Sequence, residues 1–371
     1  MKRAIIMPRS YVQGDGIINE VASYIKKLGD KPLLIWDRVV KNILVEDFYS
    51  SLNKKGIKHV EAIFNGECTK EESKRIKNIA LKEDVNVIAG IGGGKTLDVS
   101  KSVAALTGNP NIIIPTAAST DAPTSSYTIW YNEQGNNVGY DKWNFNPDIV
   151  LVDTQILVKA PVRLFVSGVG DALATWYEAN ACFKAGIDNF AGGLQTLAVM
   201  NMARLCLDII MEYGKVAKIS VEKQIVTPAF EKVTEAIILL SGIGWESGGI
   251  STAHSLEASF HSNFPEISNL LHGEGVAFGL ICQMSMEENI AVDEVNKIID
   301  FMIEIGLPVS FNDLKLEGLD YKKVLGLARS VIKNNPAVKN HSFRVTASSL
   351  ASAIILADYL GNLRKQNKIK K

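Results

Sequence analysis

Three residues of types that bind divalent metals stand out in a chain with only five histidines. His254 follows Gly248-Gly249 at the start of a helical pattern, and His272 opens the string His272-Gly-Glu-Gly. Because these histidines are 18 residues apart (272 − 254), we expect them on different helices. Asp171 could complete the set, since two imidazoles and one carboxylate suit a divalent metal and leave a coordination position open for a substrate.

Structural roles compete with the metal at each of these positions. Asp171 has the position of a helix N-cap, just before the helical pattern of Leu173–Lys184. A lone histidine is usually structural, and His261, two helical turns after His254, is a rival ligand. Residue types and spacing alone leave these alternatives open.

A glycine turn that directly follows a predicted strand is the second candidate site. The apolar run Val85–Ala89 leads into Gly92-Gly93-Gly94-Lys95, and Leu97–Leu106 then has helical spacing. Glycine N–H groups, a helix N-terminus and a lysine suit a phosphate. The string fails the P-loop pattern because Ala89 stands at the first glycine, and it fails G-x-G-x-x-G because Lys95 takes the last position. It predicts phosphate or dinucleotide binding without naming the ligand.

Polar residues also follow two other predicted strands. Asp37 ends the strand Leu33–Trp36, where a carboxylate can bind ribose hydroxyls and would disfavour a 2′-phosphate, although a helix cap is an alternative role. The loop from Thr116 to Ser126 gathers hydroxyls around one carboxylate, Asp121, just after the strand Asn111–Pro115. A polar loop in that position is a further candidate site.

The elements that must position these residues differ between the two halves of the chain. Short apolar runs alternate with amphipathic stretches up to about residue 154, and helical periodicity dominates after about residue 160. We therefore predict an α/β domain with a Rossmann-like parallel sheet over residues 1–155 and an all-helical domain over 156–371. The predicted strands are Lys2–Met7, Pro32–Asp37, Lys58–Phe64, Val85–Ala89, Asn111–Pro115 and Ile149–Asp153, with helices at Gly16–Leu28, Glu71–Leu81, Leu173–Lys184, Leu194–Glu212, Pro228–Leu240, His272–Asn289, Glu294–Ile305 and Ala347–Tyr359.

Composition narrows the class of partner. Forty basic and forty acidic residues cancel, so net charge favours neither nucleic acid nor a membrane surface. The apolar run Ala4–Met7 is too short for a signal peptide, and no stretch approaches the ~20 apolar residues of a membrane span. Four scattered cysteines fit a reducing compartment, so we expect a cytoplasmic protein. The basic end Arg364–Lys371 is expected to be solvated and partly disordered.

Several strings together closely resemble the glycerol dehydrogenases of the iron-containing (group III) alcohol dehydrogenase family. The resemblance implies a dehydroquinate synthase-like architecture, with NAD in the N-terminal domain, zinc or iron in the helical domain and the active site in the cleft between them. It covers nearly the whole chain. The shared strings are Gly90–Asp98, Pro115–Pro123, Gly168–Trp176 and His272–Gly279, with weaker support from Phe64–Cys68 and Ser241–Gly249.

The resemblance also implies a role for individual residues. Asp171, His254 and His272 would bind the metal, Zn²⁺ or alternatively Fe²⁺, and His261 has no role in the family. Asp121 would hydrogen-bond a substrate hydroxyl and completes the expected catalytic set. The implied NAD contacts are Asp37, Gly93, Gly94, Lys95, Asp98, Thr116, Ser119, Ser125, Tyr127 and Tyr131.

The implied activity is NAD-dependent oxidation of a small polyol, glycerol to dihydroxyacetone, by hydride transfer to the nicotinamide from an alkoxide that the metal stabilises. The family also implies a homo-oligomer, often an octamer. Three departures weaken glycerol as the specific substrate: Tyr127 in place of a common leucine, His254-Ser-Leu-Glu257 in place of H-A-V-H, and the unusual Gly139–Phe145. Alternatives are a relative that reduces an aldehyde, ketone or glycerol phosphate, and a lyase similar to dehydroquinate synthase.

Overall fold

The computed structural model describes residues 1–264, 267, 269–316 and 318–369. They form two compact units, each built from separate stretches of chain. The sheet unit comprises Met7–Pro161 and Ser220–Gly242, and the helical unit comprises Met1–Ile6, Val162–Ile219 and Ile243–Lys371. A single boundary at residue 155 stays a prediction. Lys370 and Lys371, the end of the expected basic tail, lie outside the described residues.

A six-stranded parallel sheet forms the centre of the sheet unit, which confirms the predicted α/β class. The strands of this unit are β1 Tyr11–Gly14, β2 Pro32–Trp36, β3 Val60–Ile63, β4 Val87–Gly92, β5 Asn111–Pro115, β6 Tyr127–Tyr131, β7 Asn137–Lys142 and β8 Ile149–Asp153. The spatial order in the parallel sheet is β1-β8-β5-β4-β2-β3, and an antiparallel hairpin, β6-β7, is separate from it.

Helices cover both faces of this sheet. Successive side chains of a strand point to opposite faces, and the central strands are buried along their whole length, so both faces must pack against helices. One cluster packs Leu34 and Trp36 of β2 against Phe48, and the other packs Leu33 of β2 against Val99. The helices α2 and α4, which follow the neighbouring strands β2 and β4, therefore lie on opposite faces. The helices of this unit are α1 Val21–Lys26, α2 Arg38–Lys54, α3 Lys70–Lys82, α4 Gly94–Thr107, α5 Thr154–Leu157 and α8 Pro228–Glu235.

The helical unit contains no strand among its described residues, as predicted. The chain passes into the sheet unit within the helix α7 (Leu197–Lys223) and returns within the helix α9 (Ser241–Gly248), after a π-helical turn at Ala236–Leu240. None of the described helices is both long and apolar enough to span a bilayer. The helices are α6 Val162–Ala185, α7 Leu197–Lys223, α9 Ser241–Gly248, α10 Thr252–Asn263, α11 His272–Met284, α12 Val292–Ile305, α13 Tyr321–Asn334 and α14 Ala347–Ile369.

The predicted strand at Lys2–Met7 is wrong, and three strands were not predicted. Of this segment, only Arg3 makes a bridge, to Leu194, because the segment pairs with the chain between α6 and α7 and not with the sheet. The strand β1 at the sheet edge is short and half-buried, so it lacks the continuous apolar run of a central strand. The hairpin β6-β7 has one largely exposed strand, which removes the same signal.

Two glycines let the backbones of α6 and α11 touch. A Cβ atom on Gly170 would lie 2.4 Å from the carbonyl oxygen of Gly273. A Cβ atom on Gly273 would lie 1.7 Å from the carbonyl oxygen of Ser167. The Gly273 N–H also donates to Ser167 Oγ at 3.1 Å. No side chain larger than hydrogen fits between these two helices at this point.

Replacing Gly273 with alanine should destabilise the protein, because the new methyl group must push α6 and α11 apart. We expect a loss of about 3 kcal/mol in the free energy of unfolding, measured with urea. Gly326→Ala is the control: this exposed glycine of α13 has open space at its Cβ position, so alanine should stabilise the helix by about 0.5–1 kcal/mol. Equal stability of Gly273→Ala and wild type would contradict the close contact.

Candidate metal centre and dinucleotide site

Asp171, His254 and His272 converge in the helical unit. One potential ligand atom from each lies within 4.8 Å of the others. The Nε2 atoms of His254 and His272 lie 3.2 Å and 3.4 Å from the same oxygen, Oδ1 of Asp171. The Asp171 side chain is 1% exposed and that of His272 is 36% exposed, so the cluster has a buried base and a solvent-accessible side. A small ligand can therefore approach it from the side of His272.

Three different helices carry these side chains. Asp171 lies in the middle of α6, so its predicted N-cap position is wrong: α6 starts nine residues earlier, at Val162. The glycines before Asp171 obscured the helical pattern, and one of them, Gly170, is needed for the contact with α11. His254 lies in the first turn of α10 and His272 is the first residue of α11.

A second carboxylate contacts the other nitrogen of each imidazole. Glu178 Oε2 accepts a hydrogen bond from Nδ1 of His254, and Glu257 Oε2 lies 3.2 Å from Nδ1 of His272. A carboxylate at Nδ1 holds the proton there and leaves the Nε2 lone pair for a metal. This arrangement is typical of metal-binding histidines.

Neither Glu178 nor Glu257 was predicted from the sequence as a site residue. Helical periodicity could have found both, since Glu178 is seven residues after Asp171 and Glu257 is three residues after His254, each on the same helix face. The side chain of the rival ligand His261 lies outside what the structure describes.

The carboxylates give the cluster a strongly negative electrostatic environment. Burial alone would lower the pKa of His254, but Glu178 and Asp171 more than offset it and raise that pKa to about 10. Burial also opposes protonation of His272, yet Glu257 and Asp171 hold its pKa well above the usual value. For Asp171, burial would raise the pKa, but the two histidines hold it well below its ordinary value. The site thus stabilises positive charge placed between these side chains.

An ion pair fixes the start of α11, where His272 lies. Nε of Arg163 donates to Glu274 Oε1 and Nη2 to Oε2, both at 2.7 Å. Oε2 of Glu274 also accepts from the backbone N–H of Leu271 at 2.9 Å. These contacts connect the residue before His272 to the first turn of α6, which limits how far the imidazole can move.

In the sheet unit, the predicted strand-end residues lie together. Trp36 of β2 pairs with Ile91 of β4, and Gly92 of β4 pairs with Pro115 of β5, so Asp37, Gly93 and Thr116 follow three adjacent parallel strands. Because α2 and α4 cover opposite faces, the chain connections leave the sheet in opposite directions at β2 and β4, which is the topological switch point of a doubly wound sheet. Dinucleotides bind at such a position in doubly wound sheets.

The glycine turn has the geometry of an anion cradle. A Cβ atom on Gly92 would lie 2.8 Å from Cβ of Asp37, so this position must remain glycine. Among the described residues, a Cβ atom on Gly93 would meet nothing within 4 Å, and one on Gly94 would meet only Thr120, at 3.9 Å. Gly93 is the N-cap of α4 and has no side chain to cap it. The turn therefore combines a helix N-terminus with open space above its backbone.

Two of the expected NAD contacts already have strong partners. Nζ of Lys95 lies 2.7 Å from both carboxylate oxygens of Glu67 and 4.6 Å from the ring centre of Tyr131. Asp37 caps α2 through Oδ1, which accepts from the backbone N–H groups of Val39 and Val40. A phosphate at Lys95 would therefore compete with Glu67. Asp37 has a structural role as the cap of α2, and it also lies at the end of β2, where a ribose contact is expected.

Asp98 and Ser125 have internal contacts that shape the hydroxyl-rich loop. Lys101 pairs with Asp98 at 2.7 Å, with both side chains buried, and Asp98 Oδ2 accepts from the Ile129 N–H. Nζ of Lys101 also donates to Ser125 Oγ and to the carbonyl oxygen of Ala122. This buried network supports the loop, and direct NAD contact by Asp98 or Ser125 stays a prediction.

The remaining predicted residues occupy the same region. Asp121 is 6% exposed, and its Oδ2 accepts from Ser241 Oγ at 2.9 Å. Tyr127 is buried in β6, with its ring centre 5.5 Å from that of Tyr140. Thr116 and Ser119 are half-buried in the loop after β5. Their contacts with NAD or substrate stay predictions.

Comparison with known proteins connects this chain and its fold to one family of dehydrogenases. The model of the iron-containing alcohol dehydrogenases matches residues 8–154. A glycerol dehydrogenase from Thermotoga maritima is 39% identical over 364 residues, 97% of this chain and 98% of the relative. A glycolaldehyde reductase from Halobacterium salinarum is 35% identical and covers 95% of this chain and 96% of its own.

A solved structure shows the same fold. The glycerol dehydrogenase from Schizosaccharomyces pombe aligns with a TM-score of 0.94 at 32% identity and covers 99% of this chain and 93% of its own. The chain belongs to the iron-containing alcohol dehydrogenase family and is an oxidoreductase. Family membership and fold class, both predicted from the sequence, are confirmed.

A buried histidine supports the helix that carries His254. Nε2 of His341 lies 2.8 Å from both Ser251 Oγ and Thr252 Oγ1, at the start of α10. Its side chain is 1% exposed. Burial lowers the pKa of His341 to about 4 from its ordinary value of 6.5. The neutral imidazole thus connects the segment before α14 to α10.

This lowered pKa predicts acid sensitivity. Below pH 6.5 the unfolded chain binds a proton at His341 that the folded protein takes up only near pH 4, so stability falls as the pH falls through this window. The loss should be about 3 kcal/mol in the free energy of unfolding. His341→Gln, which keeps hydrogen-bonding groups but does not titrate, should lose that much less between pH 7 and pH 4 in urea unfolding with EDTA present. Parallel pH profiles of the two proteins would show that His341 is not the cause.

Proposed function

We propose that the protein catalyses NAD-dependent oxidation of a small polyol, glycerol to dihydroxyacetone, with a divalent metal held by Asp171, His254 and His272. The observation that carries this proposal is the convergence of the three side chains, with each imidazole Nδ1 facing a carboxylate and each Nε2 facing Asp171. The glycerol dehydrogenases among the relatives support the choice of substrate.

The residues of the cluster fit the metal. Two imidazoles and one carboxylate form a mixed nitrogen and oxygen donor set that suits zinc, with Fe²⁺ as the alternative. Three protein ligands leave room for a substrate oxygen. A divalent metal held there supplies Lewis acidity, which lowers the pKa of a substrate hydroxyl, and NAD supplies the hydride acceptor.

The sheet unit would hold the dinucleotide. Gly93 and Gly94 offer backbone N–H groups to the pyrophosphate at the N-terminus of α4, where open space meets the helix dipole. Asp37 would accept hydrogen bonds from the adenosine ribose hydroxyls and disfavour the 2′-phosphate of NADP. Asp121, whose carboxylate Ser241 orients, would hydrogen-bond a hydroxyl of the polyol.

A screen of NAD reduction tests the proposed activity. Purified protein with added zinc is assayed with glycerol, propane-1,2-diol, butane-2,3-diol and simple alcohols, and NADH is followed at 340 nm. The proposal expects NADH to accumulate with glycerol and dihydroxyacetone to appear in equal amount. No NADH with any polyol would overturn it, and turnover without net NADH would indicate a lyase similar to dehydroquinate synthase.

Reduction of a small hydroxyaldehyde is the second candidate. The similarity to a glycolaldehyde reductase, 35% identical over nearly the whole chain, favours it. The same metal ligands and the same cofactor site would serve this reduction, in which the hydride moves from NADH to the substrate carbonyl. Comparing kcat/KM for glycolaldehyde with NADH against kcat/KM for glycerol with NAD⁺ separates the two candidates.

Removing one predicted metal ligand should abolish turnover but spare the cofactor site. His272→Ala is expected to lower kcat for glycerol by at least about 1,000-fold, because the substrate hydroxyl loses its Lewis acid. Its Kd for NADH, followed by fluorescence, should stay within about twofold of wild type. His59→Ala, a histidine of the sheet unit, is the control and should remain active. Full activity of His272→Ala in EDTA would contradict the ligand assignment.

The proposed ribose contact can be tested without removing the cap of α2. Asp37→Ser keeps a side-chain oxygen for the N–H groups of Val39 and Val40 but removes the negative charge. We expect the KM for NAD to rise about tenfold, the equivalent of one lost hydrogen bond to a charged group, and discrimination against NADP to fall. Steady-state kinetics with both cofactors measure this, and unchanged cofactor kinetics would rule out the ribose role.

A further inference from the structure

The two imidazoles of the metal centre are held in unequal ways. Glu178, on the same helix as Asp171, is 1% exposed and accepts from the backbone N–H groups of Ser251 and His254 as well as from Nδ1 of His254. That carboxylate is part of the core of the helical unit. His272 has a different partner, Glu257, which is 13% exposed.

Glu257 lies on α10, one helical turn after His254. The same helix therefore presents one candidate ligand, His254, and the carboxylate that contacts the other ligand, His272 on α11. Oε2 of Glu257 lies 3.2 Å from Nδ1 of His272, within reach of an N–H···O hydrogen bond. The Nε2 atom of the same ring faces Asp171.

The sequence of α11 makes space for this contact. A Cβ atom on Gly275 would lie 2.8 Å from Cγ of Glu257 and 3.5 Å from its Cβ. Glycine at this position thus lets the Glu257 stem pass over the first turn of α11 towards His272. His272 is the most exposed of the three candidate ligands and the first residue of its helix, so it needs an external partner more than His254 does.

From this geometry we infer that Glu257 is a positioning residue that orients His272 for metal binding and thereby sets the metal affinity of the enzyme. The inference rests on the proposed function. Glu257 does not bind the metal itself: it accepts a hydrogen bond from the Nδ1–H group of His272, fixes the tautomer with the lone pair on Nε2, and increases the basicity of that nitrogen. Loss of such a carboxylate typically weakens metal binding by about 10–100-fold.

Zinc affinity of the intact enzyme tests the inference. Zinc is titrated against a competing chromophoric chelator for wild type, Glu257→Ala, Glu257→Gln, His272→Ala and Glu288→Gln. We expect a Kd about 10–100-fold higher for Glu257→Ala and a smaller increase for Glu257→Gln, whose amide oxygen can still accept from Nδ1. Glu288 is an exposed glutamate of the same unit, and its substitution should leave the Kd within twofold.

A second measurement separates positioning from ligation and from misfolding. Cobalt replaces zinc, and its visible absorption reports the ligand set. Glu257→Ala saturated with cobalt should keep the band positions and intensities of wild type, and the far-ultraviolet circular dichroism of metal-free Glu257→Gln should match that of the wild-type protein. A changed cobalt spectrum would make Glu257 a ligand, which overturns the inference. Zinc affinity of Glu257→Ala within twofold of wild type also overturns it, as does a glutamine variant no better than alanine.

The His272→Ala variant distinguishes failure of the role of Glu257 from failure of the proposed function. If it binds zinc as tightly as wild type, the metal centre and the proposed function both fail. If it loses zinc while Glu257→Ala retains it, only the role of Glu257 fails.

Discussion

The contact between the backbones of α6 and α11 at Gly170 and Gly273 is the constraint on which the candidate metal centre depends. Packed helices usually keep their axes 8–10 Å apart, with side chains between them. Here a carbonyl oxygen of each helix occupies the space that a methyl group would need on the other. Asp171 and His272 are the residues that immediately follow and precede these glycines. Their approach to within 3.4 Å is therefore a direct consequence of the missing side chains.

Charge balance explains how such a polar cluster is tolerated inside the helical unit. A buried carboxylate without compensation is costly. Asp171 and Glu178 are each 1% exposed and Glu257 is 13% exposed, and all three lie around the two imidazoles. In the metal-free protein the raised pKa values of His254 and His272 favour protonated imidazoles, whose positive charge offsets the charge of the carboxylates. A divalent cation supplies it in the proposed holoenzyme. The same carboxylates thus stabilise the protein in both states, which lets the cluster be assembled before the metal binds.

Local signals in the sequence predicted much of the sheet unit, while the site in the helical unit depended on tertiary contacts. The buried strands β2, β4 and β5 and the glycine turn after β4 are visible as apolar runs and breaks, and the structure confirms them. The start of α6 was missed because glycines lower helix propensity, and only the packing against α11 makes glycine favourable there. Glu257 was noted in the sequence only as a departure from the H-A-V-H string common in the family. Its partner, His272, is on another helix, and no spacing along the chain shows that contact.

The three candidate ligands come from distant points of one unit, 83 (254 − 171) and 18 (272 − 254) residues apart along the chain. In the proposed holoenzyme the metal is therefore a reversible cross-link that closes two loops of very different length. Closing a loop removes entropy from the unfolded chain, and the longer loop contributes more. Most of this effect belongs to the connection between α6 and α10, which includes the residues that pass through the sheet unit and return. Metal binding would thus connect α6 to α10 within the helical unit, although the chain between these two helices includes Ser220–Gly242 of the sheet unit.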